Sequence, residues 1–377
     1  MKLFDVCEIN PRQQGISDDT LVSFVAMPDV SEDGKIKTNV IRPFSEVKKG
    51  YTVFQEGDIL FAKITPCMEN GKGALATGLK NGIGVGSTEF HVLRPNPGYV
   101  DRMWVYYLTA WPAFRREAES HMTGSAGQRR VPKSFLEEYS LSVPSLKTQH
   151  EQVEHLNRIN KVIEARKEQL CIFDDLIKAR FVEMFGLYPD NPMGWRTGVI
   201  RDVVSDVRYG SSRPAVEGGR YPYLRMNNIT YGGELDLTDT KRIDVPENEL
   251  DKCTVCRGDV LFNRTNSKEL VGKTCVYNRD EMMVLAGFVI RIRLNDTMLP
   301  EFLSAFLNTD FSKQMLLGMC KTAIGQANIN AQEMQGIGLY IPPIELQKEY
   351  VAFKAQVDKS KVVDLSAFTN RTKSYII

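Results

Sequence analysis

The chain repeats itself, and the repeat limits its architecture more than any other feature does. GDILFAK at Gly57 to Lys63 matches GDVLFNR at Gly258 to Arg264, and the same offset carries Gly71-Lys72 onto Gly272-Lys273. After a short slip, Phe90 falls on Phe288, Gly127-Gln128 on Gly325-Gln326, Pro144 on Pro342, Gln149 on Gln347 and Val153 on Val351. Near the start, Asp5-Val6 aligns with Asp202-Val203, and Met27 with Met226. Matches that keep one order along both halves mean two copies of one domain.

Within each copy, β-rich runs such as TVFQEGDILFAKI and GFVIRIRL are separated by Gly, Asn and Pro turns. A helical stretch follows, near Val100 to Ser120 and near Leu299 to Met319, then a Gly-Gln loop and an extended exit, YSLSVPS or IGLYIPP. This predicts an α+β fold: two tandem homologous domains, each a mixed, partly barrel-like β-sheet with helices.

Copy one exits into a stretch, Thr148 to Phe185, with no Pro or Gly. Leu156, Ile163, Leu170, Ile177 and Met184 recur at heptad spacing, and Ile159, Val162, Phe173 and Leu176 widen the stripe. Such a helix is roughly 57 Å long at 1.5 Å per residue, which suits a spacer rather than a linker turn. Copy two exits into a counterpart, Leu346 to Lys361, whose stripe is weaker and fades afterwards. The expected division is domain one at 1–147, the central helix at 148–187, domain two at 188–345 and a shortened helix with its tail at 346–377.

Lys plus Arg number 48 against 47 Asp plus Glu, a net charge of +1. That argues against coating nucleic acid or membrane by bulk charge, but leaves room for local basic loops. The opening MKLFDVCEINPRQQG lacks the apolar stretch of a secretory leader. The longest apolar run, Met282 to Ile290, is far too short for a membrane span. Seven cysteines without regular spacing read as reduced thiols. A cytoplasmic chain with no membrane association is expected.

Motifs for catalysis or metal binding are incomplete. Gly272-Lys273-Thr274 ends like a phosphate-binding loop, but Ser267 stands where its first glycine belongs. Cys253 and Cys256 lack the second pair of a structural zinc site, and the four histidines, His91, His121, His150 and His155, lack metalloprotease spacing. Asp29 with Asp33-Gly34-Lys35 is too compact for a nuclease site and reads as a turn. Ile341-Pro342-Pro343-Ile344 lacks the Asn and aromatic residue of a methyltransferase loop. No catalytic residue and no metal ligand is assigned.

Polar loop chemistry at matching places in both copies remains. Copy one offers Lys63, Thr65, Asn70 and Lys72, then Gln128, Arg129 and Arg130. Copy two offers Arg264, Asn266, Ser267, Lys268 and Lys273, then Gln326 and Asn328, and adds Arg208, Arg213, Arg225 and Asn227 from its opening loops. Arg and Lys suit guanine edges and phosphates, Asn and Gln suit adenine, and Ser and Thr suit phosphate oxygens. These residues form the candidate DNA-binding set, with Lys72 and Lys273 read as lysines on loop tips.

The segments KITPCMENGKGAL, GSTEFHVLRP and GSAGQRRVP, then YPYLRMNNITYGGELD, GDVLFNRTNS and GQANIN, give the chain a resemblance to the specificity subunits of type I restriction–modification systems. The resemblance covers nearly the whole chain. It implies that each copy is a target recognition domain reading one half of a bipartite, asymmetric double-stranded DNA target. It also implies that the long helices pair as an antiparallel coiled coil, set the gap between half-sites and dock methyltransferase subunits, with Leu156, Ile163, Leu170, Ile177 and Met184 at the seam. No cofactor is then expected in this chain: SAM, ATP and Mg would belong to the methyltransferase and restriction/translocase subunits. The shortened second helix bears on the docking of a second methyltransferase. The alternatives are a nuclease or methyltransferase in its own right, or a helical scaffold.

Overall fold

Each copy builds the same pair of open four-stranded sheets. In the computed structural model, which describes residues 1–13, 15–38, 40–125, 127–323 and 326–373 (backbone only for 321–323, 326 and 362–373), the main sheet of copy one has neighbours in the order Cys7–Ile9, Phe90–Pro95, Ile59–Ala62, Gly73–Leu75, all antiparallel. The main sheet of copy two has the same order: Val204–Tyr209, Val289–Leu294, Val260–Asn263, Thr274–Val276. The second sheet runs Ile41–Pro43, Leu21–Val25, Ile83–Gly86, Thr52–Gln55, with a parallel pair in the middle. Lys241–Ile243, Tyr221–Leu224, Met283–Leu285 and Thr254–Val255 reproduce it, parallel pair included.

The repeated GD(I/V)LF segment lies at the centre because every residue of its strand is buried, Ile59 to Ala62 and Val260 to Asn263 alike. Alternate side chains leave opposite faces of a strand. Ile59 and Phe61 therefore meet the helices through Val105, Phe114 and Phe135, while Leu60 and Ala62 join Val25, Phe54 and Phe90 between the sheets. In copy two, Val260 and Phe262 face Phe302 and Phe306, and Leu261 joins Leu224, Leu285 and Val289. The aspartate before each strand is buried and ion-paired to the neighbouring strand, Asp58 to Arg94 and Asp259 to Arg293, each at 2.8 Å.

The ladder corrects one sequence match. Ala62 pairs with Phe90, and its counterpart Asn263 pairs with Val289. Phe90 therefore corresponds to Val289 and not to Phe288. A one-residue shift along a strand reverses the face a side chain takes; Phe90 is 2% exposed and Phe288 52%.

The predicted helical stretches are helix pairs, Arg102–Ala110 with Pro112–Ser120, and Pro300–Leu307 with Asp310–Met319. The central helix runs over Leu146–Phe185 and the C-terminal helix over Ile344–Lys373, 40 against 30 residues. The second is shorter, as the pattern suggests, yet continues past Lys361. Contacts divide the chain into Met1–Ala165 and Arg166–Ile377, a boundary inside the central helix.

In the first unit, the start of the central helix is fastened by polar bonds: Trp104 Nε1 donates to Gln152 Oε1 and the Tyr107 hydroxyl to Asn157 Oδ1, at 2.8 and 2.6 Å. In the second unit, its far end pairs antiparallel with the C-terminal helix. Phe181 meets Tyr350 edge-on at 5.3 Å, Arg180 pairs with Glu349, and Asp174 with Lys361 further along. The heptad stripe is only partly the packing line. Ile177 is buried, Ile163, Leu170 and Met184 are half-buried, and Leu156 is 38% exposed. Val153, Phe181 and Phe185 carry the tighter contacts, because the helix packs against a globular body at each end and not along one seam. Among the described residues no helix is long and apolar enough to cross a membrane.

Candidate nucleic-acid interface

Both copies end three strands of the main sheet at one place. In copy one these ends bring together Asn10, Lys63 and Glu89. Asn10 sits at φ +54°, a left-handed conformation that Asn adopts more readily than most residues. Its amide oxygen accepts from Val92 N at 2.9 Å and its amide nitrogen donates to His91 Nδ1 at 3.1 Å. The other ring nitrogen of His91 lies 2.8 Å from the Val131 carbonyl, so the imidazole is held neutral with its proton on Nε2. Burial keeps its pKa below the ordinary value.

Lys63 N donates to Glu89 O, and Lys63 O accepts from Val131 N, which ties the strand end to the Gly-Gln loop. The guanidinium of Arg130 grips the Glu89 carboxylate with Nε and Nη2, both at 2.9 Å. Hydrogen bonding from Arg130 in turn holds the Glu89 carboxyl below its usual range. Lys63, whose ammonium has no hydrogen-bond or ion-pair partner among the described residues, lines a cleft of about 510 Å³ with Asn10, Arg12, Gln13 and Thr88.

Copy two repeats the backbone and changes the side chains. Arg264 N donates to Phe288 O, and Arg264 O accepts from Ile329 N, the same two bonds that Lys63 makes. Arg264 lies over the Tyr209 ring, 4.9 Å from its centroid. The Gly-Gln loop becomes a small sheet of its own, in which Thr265–Asn266 pairs with Gln326–Asn328 and that strand with Lys321–Ala323. Thr265 Oγ1 donates to Asn328 Oδ1 at 3.1 Å.

The remaining candidates divide by surroundings. Asn70, Gln128, Asn227, Ser267 and Lys268 are exposed, and Asn266 is half-buried, its Oδ1 accepting from Ser267 N. Thr65 donates to Glu69, and Arg129 lies 3.7 Å from that same carboxylate. Arg208, Arg213 and Arg225 pair with Asp206, Glu249 and Asp239. The Gln326 side chain falls outside the described residues.

Two candidates sit where the sequence reading did not put them. Lys273 is 8% exposed and its ammonium donates to the Met226 and Ile229 carbonyls; Lys72 does the same to Met27 O at 3.2 Å. They are not loop-tip lysines. Each clamps the short 3-10 turn of its own copy, Met226–Asn228 or Met27–Asp29, because that turn folds back over the strand following the Gly-Lys pair. Burial lowers the pKa of Lys273. Conversely, Tyr209, Phe288, Glu89 and Arg12 stand at the shared sheet end without having been singled out. A strand-by-strand comparison of the copies would have found them, since Tyr209 and Phe288 replace Pro11 and Glu89.

The family model described as "Type I restriction modification DNA specificity domain" matches residues 1–170 and 193–365, one match for each copy. The type I restriction enzyme EcoAI specificity subunit of Escherichia coli is 42% identical over 166 residues, 44% of this chain and 28% of that protein. The EcoEI specificity subunit of Escherichia coli is 45% identical over 144 residues, 38% of this chain and 24% of that protein. The matches thus span only about a quarter of the length of these relatives. A solved chain, from a structure titled for complex assembly and conformational transition of the type I R-M system, shares the fold. Its TM-score is 0.57 at 20% identity, over 99% of this chain and 93% of that one.

Proposed function

We propose that this chain, which belongs to the type I restriction modification DNA specificity domain family, is the DNA sequence-recognition subunit of a restriction–modification complex. One observation carries the reading. The two copies present the same backbone at the same sheet end, Lys63 bonded to Glu89 and Val131 as Arg264 is to Phe288 and Ile329, but clothe it with different side chains. One scaffold with two dressings suits the reading of two unlike half-sites, because base edges are distinguished by donor and acceptor pattern. The names of the relatives favour this over a DNA-modifying enzyme or a scaffold.

In this proposal the chain binds double-stranded DNA and performs no chemistry itself. Methyltransferase subunits hold SAM, a restriction/translocase subunit uses ATP and Mg, and the complex works in the cytoplasm. The central helix sets the gap between half-sites. Ile172 and Leu176, apolar yet exposed one turn apart on that helix, support its use as a docking surface for those subunits. The test is to express the chain with its neighbouring methyltransferase subunit and map methylated bases across the genome by single-molecule sequencing. A split, asymmetric motif with a fixed gap is expected; both proteins soluble and no split motif would refute the reading.

A further inference from the structure

The sheet end of copy two holds a cation arranged unlike any other in its set. Arg208, Arg213 and Arg225 each face a carboxylate, and so does Arg130 in copy one. Arg264 has no acidic partner among the described residues. Its guanidinium rests on the Tyr209 ring, and its Nε is buried without a hydrogen-bond partner. Tyr209 is itself fixed: its hydroxyl accepts from Ala331 N at 2.9 Å, at the start of the helix Ala331–Gln335. The next residue, Gly210, lets the strand end lie against the second sheet, since a Cβ there would lie 2.2 Å from Leu285 O. Beside the pair, Phe288 is 52% exposed and its carbonyl accepts from Arg264 N.

We propose that Arg264 reads a guanine in the half-site belonging to copy two, and that Tyr209 is the positioning residue that holds the guanidinium flat for it. The inference rests on the proposed recognition function. A guanidinium is planar and presents a fork of donors that matches guanine O6 and N7, and stacking on an aromatic face holds that fork in one plane. Among the described residues its charge is not spent on a protein carboxylate. The exposed Phe288 ring argues for a base edge over a phosphate, because apolar surface beside the guanidinium gains nothing from charged oxygens and gains contact from a base or a thymine methyl group. In copy one the corresponding position is Lys63, with Pro11 and Glu89 in place of Tyr209 and Phe288. That side carries neither the fork nor the platform, so a guanine read by a stacked guanidinium belongs to the half-site of copy two.

The test is selection from a randomised duplex library by the full chain in complex with its methyltransferase subunits. The wild-type complex selects a split site with guanine fixed at one position of one half. Arg264→Gln, whose amide suits adenine, lowers that guanine preference by roughly 5- to 150-fold and leaves the other half unchanged. Tyr209→Leu relaxes the same position, and Tyr209→Phe, which keeps the ring face but loses the bond from Ala331 N, falls between Leu and the wild type. Guanine retained in Arg264→Gln would overturn the inference while leaving the recognition function standing. So would Arg264→Ala weakening all sequences alike with a salt dependence lower by about one ion, the mark of a phosphate contact. A wild-type complex that selects no split site would overturn both.

Discussion

Gln149 and Gln347 do the same work in the two copies. Each side-chain oxygen accepts from a backbone N–H at 2.8 Å, that of Asp101 or of Leu299, and each amide nitrogen donates to two carbonyls, Tyr99 and Pro144 or Thr297 and Pro342. Both are fully buried. The residue that opens each long helix thereby fastens it to the helix pair of its own copy. An amide suits the place because it donates and accepts at once.

Removing either amide leaves buried backbone groups without partners. Gln149→Ala and Gln347→Ala are each expected to cost about 1–3 kcal/mol. The two lie in separate units and share no partner, so the double variant should show the sum. Urea unfolding of the three variants measures this, and a clearly non-additive double variant would show that the latches are coupled.

Lys273 provides a second separation of structure from recognition. Its ammonium is satisfied by carbonyls, so Lys273→Ala is expected to lower stability by roughly 3 kcal/mol, with any loss of DNA affinity following from that. Lys63→Ala, at an ammonium with no hydrogen-bond or ion-pair partner among the described residues, should leave the unfolding midpoint unchanged.

The far end of the central helix should behave as core. Tyr350→Ala removes a fully buried ring packed on Phe181 and Phe185, an expected loss of about 3–5 kcal/mol. Leu156→Ala, on an exposed stretch of the same central helix, should stay within about 0.5 kcal/mol in the isolated chain. Thermal unfolding distinguishes the two.

His91 predicts a pH dependence. Burial depresses its folded pKa below the ordinary 6.5, so the unfolded chain takes up the proton more readily. Its contribution to stability is fully present above that ordinary value and is lost as pH falls below it, toward the folded value. Unfolding midpoints should therefore fall between about pH 7.5 and pH 5.5. His91→Ile, which copies the residue at the matching ladder position, Ile290, should flatten the curve.

The duplication, the α+β class and the two helices were legible because they rest on local patterns: GDILFAK against GDVLFNR, and a long stretch free of Pro and Gly. What escaped depends on contacts between distant segments. Lys273 looks like a loop-tip lysine until the Met226–Asn228 turn folds over it. Matching Phe90 to Phe288 preserves the letter and misses the register, which only the pairing of Asn263 with Val289 reveals. Tyr209 and Phe288 carry no motif; the convergence of three strand ends gives them their place. The heptad stripe is real as a pattern, yet Leu156 stays 38% exposed because Gln152, Val153 and Asn157 on the neighbouring face make the contacts to copy one.

In the proposed function each copy reads its own half of a split DNA site. The most direct test maps methylated bases in cells that express the methyltransferase subunit with one of two variants: Lys63→Ala with Arg130→Ala, or Arg264→Ala with Asn328→Ala. Each pair is expected to alter one half of the motif, a different half for each, and to leave the other half and the gap intact. Either pair altering both halves, or both pairs altering the same half, would contradict it.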